Sequence, residues 1–342
     1  MAAPLAPPPV VRRIMIIVAM EQEMMPIVAS LGLHTVDPSP FLPGAPFVAW
    51  EGEVNGDTAI HAVWCGRDPR FGNVNNVATT AAAVATYAAV AAFGAPDLLL
   101  SAGTAGGFAS MGAAVGDVFL STKCVFHSRR IPGDAGQLEE YGFGHLRSPP
   151  LIGLVTAAGL KSGVVSTSDS LDASELDLEL MRSEGAAVKE MEAAAVAWVC
   201  STLAVPFVAI KSITDIVDGP HATAEEFYSN LATASEQLQQ KVQLVIRLLR
   251  GTRLRAWATP SDLPGSEGEP AARRDHDSRA RGQASAAAGT LPRATAQGPP
   301  PTGVQREAAE TVRMHALGGV PLGVLIGIAV GSAALAIARR AH

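Results

Sequence analysis

The sequence predicts an α/β fold, with a central mixed sheet flanked by helices. Three observations carry this. Short apolar runs of strand length alternate with longer amphipathic stretches from residue 13 to about 251, and such alternation calls for a sheet covered by helices on both faces. Hydrophobic residues make up 48% of the 342 and charged residues only 17%, enough apolar surface for a sizeable core. An Asn-Gly pair between two strand-like runs places an antiparallel hairpin inside the alternation.

The elements follow in order. RIMIIVAM (13–20) is an apolar run that fits a buried strand, and 21–31 reads as a helix. FVAWEGEV (47–54) and TAIHAVWC (58–65), joined by Asn55-Gly56-Asp57, form the hairpin. Residues 73–93 are Ala-rich without Gly or Pro and predict a long helix. DLLLSAG (97–103) and DVFLSTKCVF (117–126) are further strands, 150–160 a helix, and GVVSTSD (163–169) a strand. Lys189-Glu190-Met191-Glu192 opens a helix in which Val196, Val199, Cys200 and Leu203 fall at i, i+3, i+4 and i+7, a buried stripe. PFVAIKSITD (206–215) is a strand ending in polar residues, and 222–250 a final amphipathic helix.

The flanks differ in character. Residues 1–12 are Pro-rich; the strand pattern begins by Ile14, which predicts a short flexible tail rather than a cleavable leader. Between Ala256 and His315 the large aliphatic and Phe residues are only Leu263, Leu291, Val304 and Val312. Such a stretch cannot offset the entropy of ordering it, so 252–315 is expected to be a disordered linker. Residues 316–338 then form a run without charge, bounded by Arg313, His315 and Arg339-Arg340. At about 1.5 Å per residue it reaches the roughly 30 Å of a bilayer core, predicting a C-terminal hydrophobic helix that anchors the chain in a membrane. Gly323, Gly327 and Gly331 would line one face of it.

The net charge of −6 excludes a chain built to neutralise phosphates, so no nucleic-acid partner is expected. Cys65, Cys124 and Cys200 are far apart and form no CxxC. No disulfide framework, metal site or organic cofactor is implied, and the thiols read as inert and buried.

In α/β folds the site lies beyond the carboxyl ends of the strands. Five junctions there supply polar groups: Glu21-Gln22-Glu23, the Gly-rich turn Thr104-Ala105-Gly106-Gly107, Ser168-Asp169-Ser170, Lys189 to Glu192, and Lys211 to Asp215. Each has an ordinary structural explanation when taken alone. Glu23 suits the first turn of a helix, Asp215 and Glu192 fit helix starts, Gly106-Gly107 a plain turn, Met191 a core position, and His127 a loop hydrogen bond.

Together the stretches AMEQEMMPIV (19–28), SAGTAGGF (101–108), GDVFL (116–120), VFHSRRIP (125–132), STSDSLDAS (166–174), KEMEAAAVA (189–197), IKSITDIVDG (210–219) and TAEEF (223–227) resemble the nucleoside phosphorylase superfamily. The nearest resemblance within it is to 5′-methylthioadenosine/S-adenosylhomocysteine nucleosidases of the plant type, over roughly residues 13–250. The resemblance implies a three-layer nucleoside-phosphorylase-like fold, no metal, a small nucleoside substrate and a homodimer. It implies an N-ribosyl hydrolase of methionine salvage, with Asp215 as the acid that protonates purine N7 and Glu23 orienting the water. Glu192 would bind the ribose hydroxyls, Met191 pack on the sugar, and Thr104, in the turn with Gly106, lie near ribose and water. Leu171 would meet the adenine edge, and Lys211 hold the network of acids. Separately from the resemblance, a membrane anchor at 316–338 would leave the catalytic domain facing the cytosol.

The chemistry fits these residue types. Cleaving a bond to adenine needs a protonated leaving base, a stabilised oxocarbenium-like centre and an attacking water, jobs that carboxylates in different surroundings divide. The alternatives are a phosphate-dependent purine nucleoside phosphorylase and a non-catalytic nucleoside-binding or storage member. A phosphorylase needs a cationic cradle, but the position where bacterial phosphorylases carry Arg is Ser101 here. Arg67, after a strand and a glycine, approaches the same region in this reading, and plant-type nucleosidases share its Arg-Asp. The stretch 133–147 departs from the plant pattern and leaves open whether S-adenosylhomocysteine is accepted.

Overall fold

The computed structural model describes residues 10–131 and 136–258. In chain order it contains β1 (Arg13–Val18), α1 (Glu21–Leu31), β2 (His34–Thr35), β3 (Val48–Val54) and β4 (Thr58–Trp64). Next come β5 (Arg67–Asp68), β6 (Val74–Asn75), α2 (Ala78–Phe93), β7 (Leu98–Gly107) and β8 (Val118–Phe126). Then follow α3 (Gln137–Phe143), β9 (Leu146–Arg147), α4 (Ile152–Ala158), β10 (Lys161–Thr167) and α5 (Glu175–Ser183). The last are β11 (Ala186–Glu190), α6 (Ala193–Thr202), β12 (Phe207–Ile216) and α7 (Thr223–Leu249).

The ten-stranded sheet runs β11-β10-β8-β12-β7-β1-β4-β3-β2, with β9 on β8. It is mixed: β1 lies parallel to β4 and β7, whereas β12 lies antiparallel to β8. β11 also pairs antiparallel with β7, Val188 opposite Gly107. That pairing closes β7, β12, β8, β10 and β11 into a ring.

Alternation along the strands divides the core between the two faces. On one, Ile14, Ile16, Leu98, Leu100, Val208 and Ile210 pack with Met24 and Ile27 of α1, Leu154 of α4, and Leu238, Val242 and Ile246 of α7. On the other, Met15, Ile17, Leu99, Ala209 and Ile213 meet Ala82, Ala85 and Ala89 of α2 and Ala193, Val196 and Cys200 of α6. The expected stripe of α6 is there, with Val196, Val199 and Cys200 buried and Leu203 packed at the edge.

The hairpin is as read. Asn55 and Gly56 take φ 55° and 71°, the left-handed pair a type I′ turn requires. Several readings are corrected. Thr104 to Gly107 is no turn but the end of β7, buried throughout and paired with β12 and β11. Lys189 and Glu190 end β11 and do not open a helix, which begins at Ala193. α2 starts at Ala78 because Val74–Asn75 pair with Arg67–Asp68. α3, α5 and β11 had no counterpart in the reading; α5 is started by a capping box between Ser174 and Asp177. The expected disordered linker (252–315) is corrected at its start, where Leu254–Trp257 form a helical turn with Leu254 buried, and the expected tail (1–12) at its end, where Val11 is buried and Val10 bridges Arg253. Residues 259–315 and the expected hydrophobic helix (316–338) lie outside the described residues. Among those described, no helix is long and apolar enough to cross a membrane.

Candidate active site

β12 delivers two ionisable groups to opposite faces of the sheet. Lys211 and Ile213 stand opposite Gly103 and Ala105 of β7, but Asp215 stands opposite Gly106. Thr214 is the extra residue of a bulge, and it shifts the alternation by one. Without it Asp215 would share the face of Lys211; with it Asp215 shares the face of Thr104. Thr214 Oγ1 then donates to Asp215 Oδ1 at 2.7 Å and lies 3.1 Å from the Ala105 carbonyl.

Asp215 is 2% exposed, and its Oδ2 is buried without a hydrogen-bond partner. Burial raises its pKa above the usual carboxylate value, against the pull of Thr214 and the Lys189 charge, with the Glu226 charge adding to the rise. A Cβ at Gly106 would lie 2.7 Å from that Oδ2. The absent side chain is what leaves room beside the acid.

Glu23, in the first turn of α1, is 3% exposed and turned inward. Its Oε1 accepts both the Thr104 amide and the Thr104 hydroxyl, each at 2.6 Å. Burial raises its pKa, and the Thr104 bonds and the Lys211 charge restrain the rise. Gly103 again provides close approach, since a Cβ there would meet Lys211 Nζ at 3.2 Å and Glu23 Oε1 at 3.5 Å.

Glu192 stands at the N-cap position of α6 but does not cap that helix with its own side chain. Its Oε1 accepts the Ala78 amide at 2.9 Å, and Asp169 Oδ1 accepts the Thr79 amide at 2.8 Å. Two orphan N–H groups at the start of α2 are thus met by carboxylates from the loops after β11 and β10. Glu192 Oε2 lies 3.8 Å from Lys211 Nζ. Burial raises the Glu192 pKa; Lys211 opposes this, while Glu190 and Glu23 add to it.

Glu190, unassigned at the level of sequence, organises this corner. It pairs with Lys211 at 2.8 Å and accepts the amides of Glu192 and Ala193 and the Thr167 hydroxyl. It is the group that caps α6. Burial alone would raise its pKa, but Lys211 and these donors hold it below the ordinary value. Lys211 is 1% exposed; burial opposes its charge, yet Glu190, Glu192 and Glu23 keep the ammonium protonated. The sequence signal for Glu190 was an apolar triplet, Ala186-Ala187-Val188, running into a charge pair.

One cavity of about 240 Å³ is lined by Glu23, Thr104, Gly106, Leu171, Met191, Glu192 and Asp215. Seven of the eight expected residues therefore meet in one place, and Lys211 supports them from behind. Val77 and Phe227 add apolar walls. Arg67 does not line it; its guanidinium pairs with Glu21 and the Asn73 carbonyl. His127 follows β8 in a bend, 2% exposed with Nδ1 2.9 Å from Ser166 Oγ, the loop residue with a structural hydrogen bond that was expected. Burial drives its pKa down to about 4. All three cysteines are buried, and burial raises each thiol's pKa, that of Cys200 to about 12. Among the described residues no cluster of His, Cys, Asp or Glu could hold a metal ion.

The family model described as "Phosphorylase superfamily" matches residues 13–247. A 5′-methylthioadenosine nucleosidase of Arabidopsis thaliana is 39% identical over 241 residues, 70% of this chain and 88% of that one. A 5′-methylthioadenosine/S-adenosylhomocysteine nucleosidase of the same plant is 40% identical over 238 residues, 70% of this chain and 92% of its own. The apo structure of an Arabidopsis thaliana 5′-methylthioadenosine nucleosidase superposes with a TM-score of 0.69 at 38% identity, covering 75% of this chain and all of that one. On this likeness and the shared arrangement of strands, the chain belongs to the phosphorylase superfamily and, within it, to the 5′-methylthioadenosine/S-adenosylhomocysteine nucleosidases.

Proposed function

We propose that the protein hydrolyses the N-glycosidic bond of 5′-methylthioadenosine, releasing adenine and the 5-thioribose product. The observation that carries this is the buried, unpartnered Asp215 Oδ2 in the same cavity as Glu23 and Glu192. An acid whose pKa is raised by burial keeps a proton to give near neutral pH. Asp215 donates that proton to N7 as the C1′–N9 bond breaks. Glu23, steadied by Thr104, orients the water and takes its proton as oxygen bonds to C1′. Glu192 binds the ribose hydroxyls, Met191 packs on the sugar and Leu171 covers the base. Lys211 fixes the acids through Glu190 and Glu192.

Water rather than phosphate is the nucleophile in this reading. Lys211 is already closed by Glu190, Lys189 by the Ser170 and Leu171 carbonyls, and Arg67 by Glu21. Ser101 is buried within β7. Adenine release is to be measured from 5′-methylthioadenosine and S-adenosylhomocysteine side by side, with and without phosphate. Release that needs no phosphate is expected; strict phosphate dependence, or a ribose-1-phosphate-type product, makes the protein a phosphorylase.

The reading includes a homodimer. What supports it is an exposed apolar strip of Val84, Tyr87 and Trp198 on α2 and α6; sedimentation at a monomer's mass refutes it. It also includes a tail anchor at 316–338, with the catalytic domain in the cytosol. The support is the uncharged run itself. Carbonate extraction should leave the full chain with membranes, and a chain wholly in the soluble fraction, unchanged by deleting 316–342, removes the anchor.

A further inference from the structure

Three residues form one row across the closed ring. Lys189 of β11 stands opposite Gly106 of β7, and Gly106 stands opposite Asp215 of β12. The middle position carries no side chain, and the unpartnered Asp215 Oδ2 lies over it, 2.7 Å from where a Cβ would be. Lys189 lines the same cavity and is 6% exposed. Its Nζ donates to the Ser170 carbonyl at 2.9 Å and the Leu171 carbonyl at 2.7 Å. An ammonium has three donors; two of them pin the backbone that follows β10.

We propose that Lys189 is a positioning residue with two tasks: it clamps the Ser170-Leu171 backbone at the cavity wall, and its charge, facing Asp215 across Gly106, sets the upper pH limit of the acid. This rests on the proposed hydrolysis and deepens it. Asp215 is faced by Lys189 from β11 and by Glu226 from α7, whose carboxylate accepts the Ile216 amide. Lys189 is in turn faced by Asp215, by Asp172 beyond β10, by Asp177 of α5, by its neighbour Glu190, and by His127 beyond β8. Burial opposes the ammonium, and those four carboxylates favour it. Taking away a fixed cation raises the proton affinity of a facing carboxyl. Asp215 then stays protonated to higher pH.

Three variants separate the tasks. Lys189→Met removes clamp and charge; Lys189→Gln keeps N–H donors without charge; Lys189→Arg keeps the charge. For 5′-methylthioadenosine, Lys189→Met should raise KM about tenfold, as expected for about 1.4 kcal/mol of lost binding. It should also move the alkaline limb of the kcat profile up by about one pH unit, the low end of the effect of a nearby charge. Lys189→Gln should move the limb equally with KM close to the parent, and Lys189→Arg should leave the limb in place. A residue that only supports the fold would lower activity at every pH and move no limb. A second readout needs no turnover: a difference infrared titration of the Asp215 carboxyl, each protein against its own Asp215→Asn form. The midpoint should rise in Lys189→Gln. If it coincides with the parent's, the charge role is wrong; if KM in Lys189→Met is unchanged, the clamp is wrong. Absence of adenine release by the parent refutes the hydrolase reading instead, while the infrared titration still decides the charge role.

Discussion

Lys211 Nζ lies 2.8 Å from Glu190 and 3.8 Å from Glu192, so one buried ammonium holds two carboxylates in unequal states. The nearer one is kept ionised below its ordinary pKa; the farther is held above it by burial, with the charge of Glu190 adding to the rise. Removing one partner of such a pair strands the other. Lys211→Met should destabilise the protein by about 3–5 kcal/mol in urea denaturation. A loss under 1 kcal/mol would show that the ammonium is not what holds Glu190.

Glu192 predicts the opposite sign. Its folded-state pKa lies above the ordinary 4.5, so the folded chain keeps a proton that the unfolded chain releases. Stability therefore falls as pH rises from the ordinary value through the raised one. Glu192→Gln removes this fall. It should be more stable than the parent at pH 8, by about 1 kcal/mol, with the gap closing toward pH 4. Equal stability at both pH values sinks the assignment.

The three acids should matter to the rate. Asp215→Asn, Glu23→Gln and Glu192→Gln are each expected to lower turnover by at least about 10²-fold, the low end of one acid or base role. Asp215→Asn retains a hydrogen-bonding group for N7 but has no acidic proton, so KM should change less than kcat. Near-normal turnover in Asp215→Asn dismisses it as the N7 acid.

Gly106→Ala tests the room beside the acid. The new Cβ would stand 2.7 Å from Asp215 Oδ2 and 2.7 Å from Val217 Cγ2. The carboxyl must turn away, and kcat should drop at least about tenfold, as misplacement of a reacting group does. Thermal unfolding within a few degrees of the parent would show that the fold survives. Unchanged kcat means that the site tolerates a methyl there.

Much of this architecture was legible from local signals. The Asn55-Gly56 hairpin, the strand at Ile14 and the length of α7 follow from turn chemistry and periodicity. The end of β7 did not. Ala105, Gly106 and Gly107, after Thr104, carry no strand propensity, and only their pairing with β12 and β11 makes them a strand. β11 was missed for the same reason, being five residues, three of them apolar, set between two neighbours. Its misreading hid Glu190, whose role appears only when Lys211 of β12 arrives beside it. The bulge at Thr214 left no mark that alternation could detect, yet it decides which face Asp215 occupies. The acids themselves were found by motif, through resemblance.

The contact of β11 with β7 also has a meaning in time. Val188 meets Gly107 only after the intervening strands have been made and folded back, and such distant pairings are late and slow because loop closure precedes their reward. A nascent chain that ends at β10 carries Glu23 and Thr104 but lacks Lys189, Glu192 and Asp215. The site is therefore complete only once β11 and β12 have been added. A ligand that contacts Asp215, Glu192 and Glu23 together can bind only the closed ring, so its binding energy stabilises the folded chain over any form in which β11 or β12 is undocked.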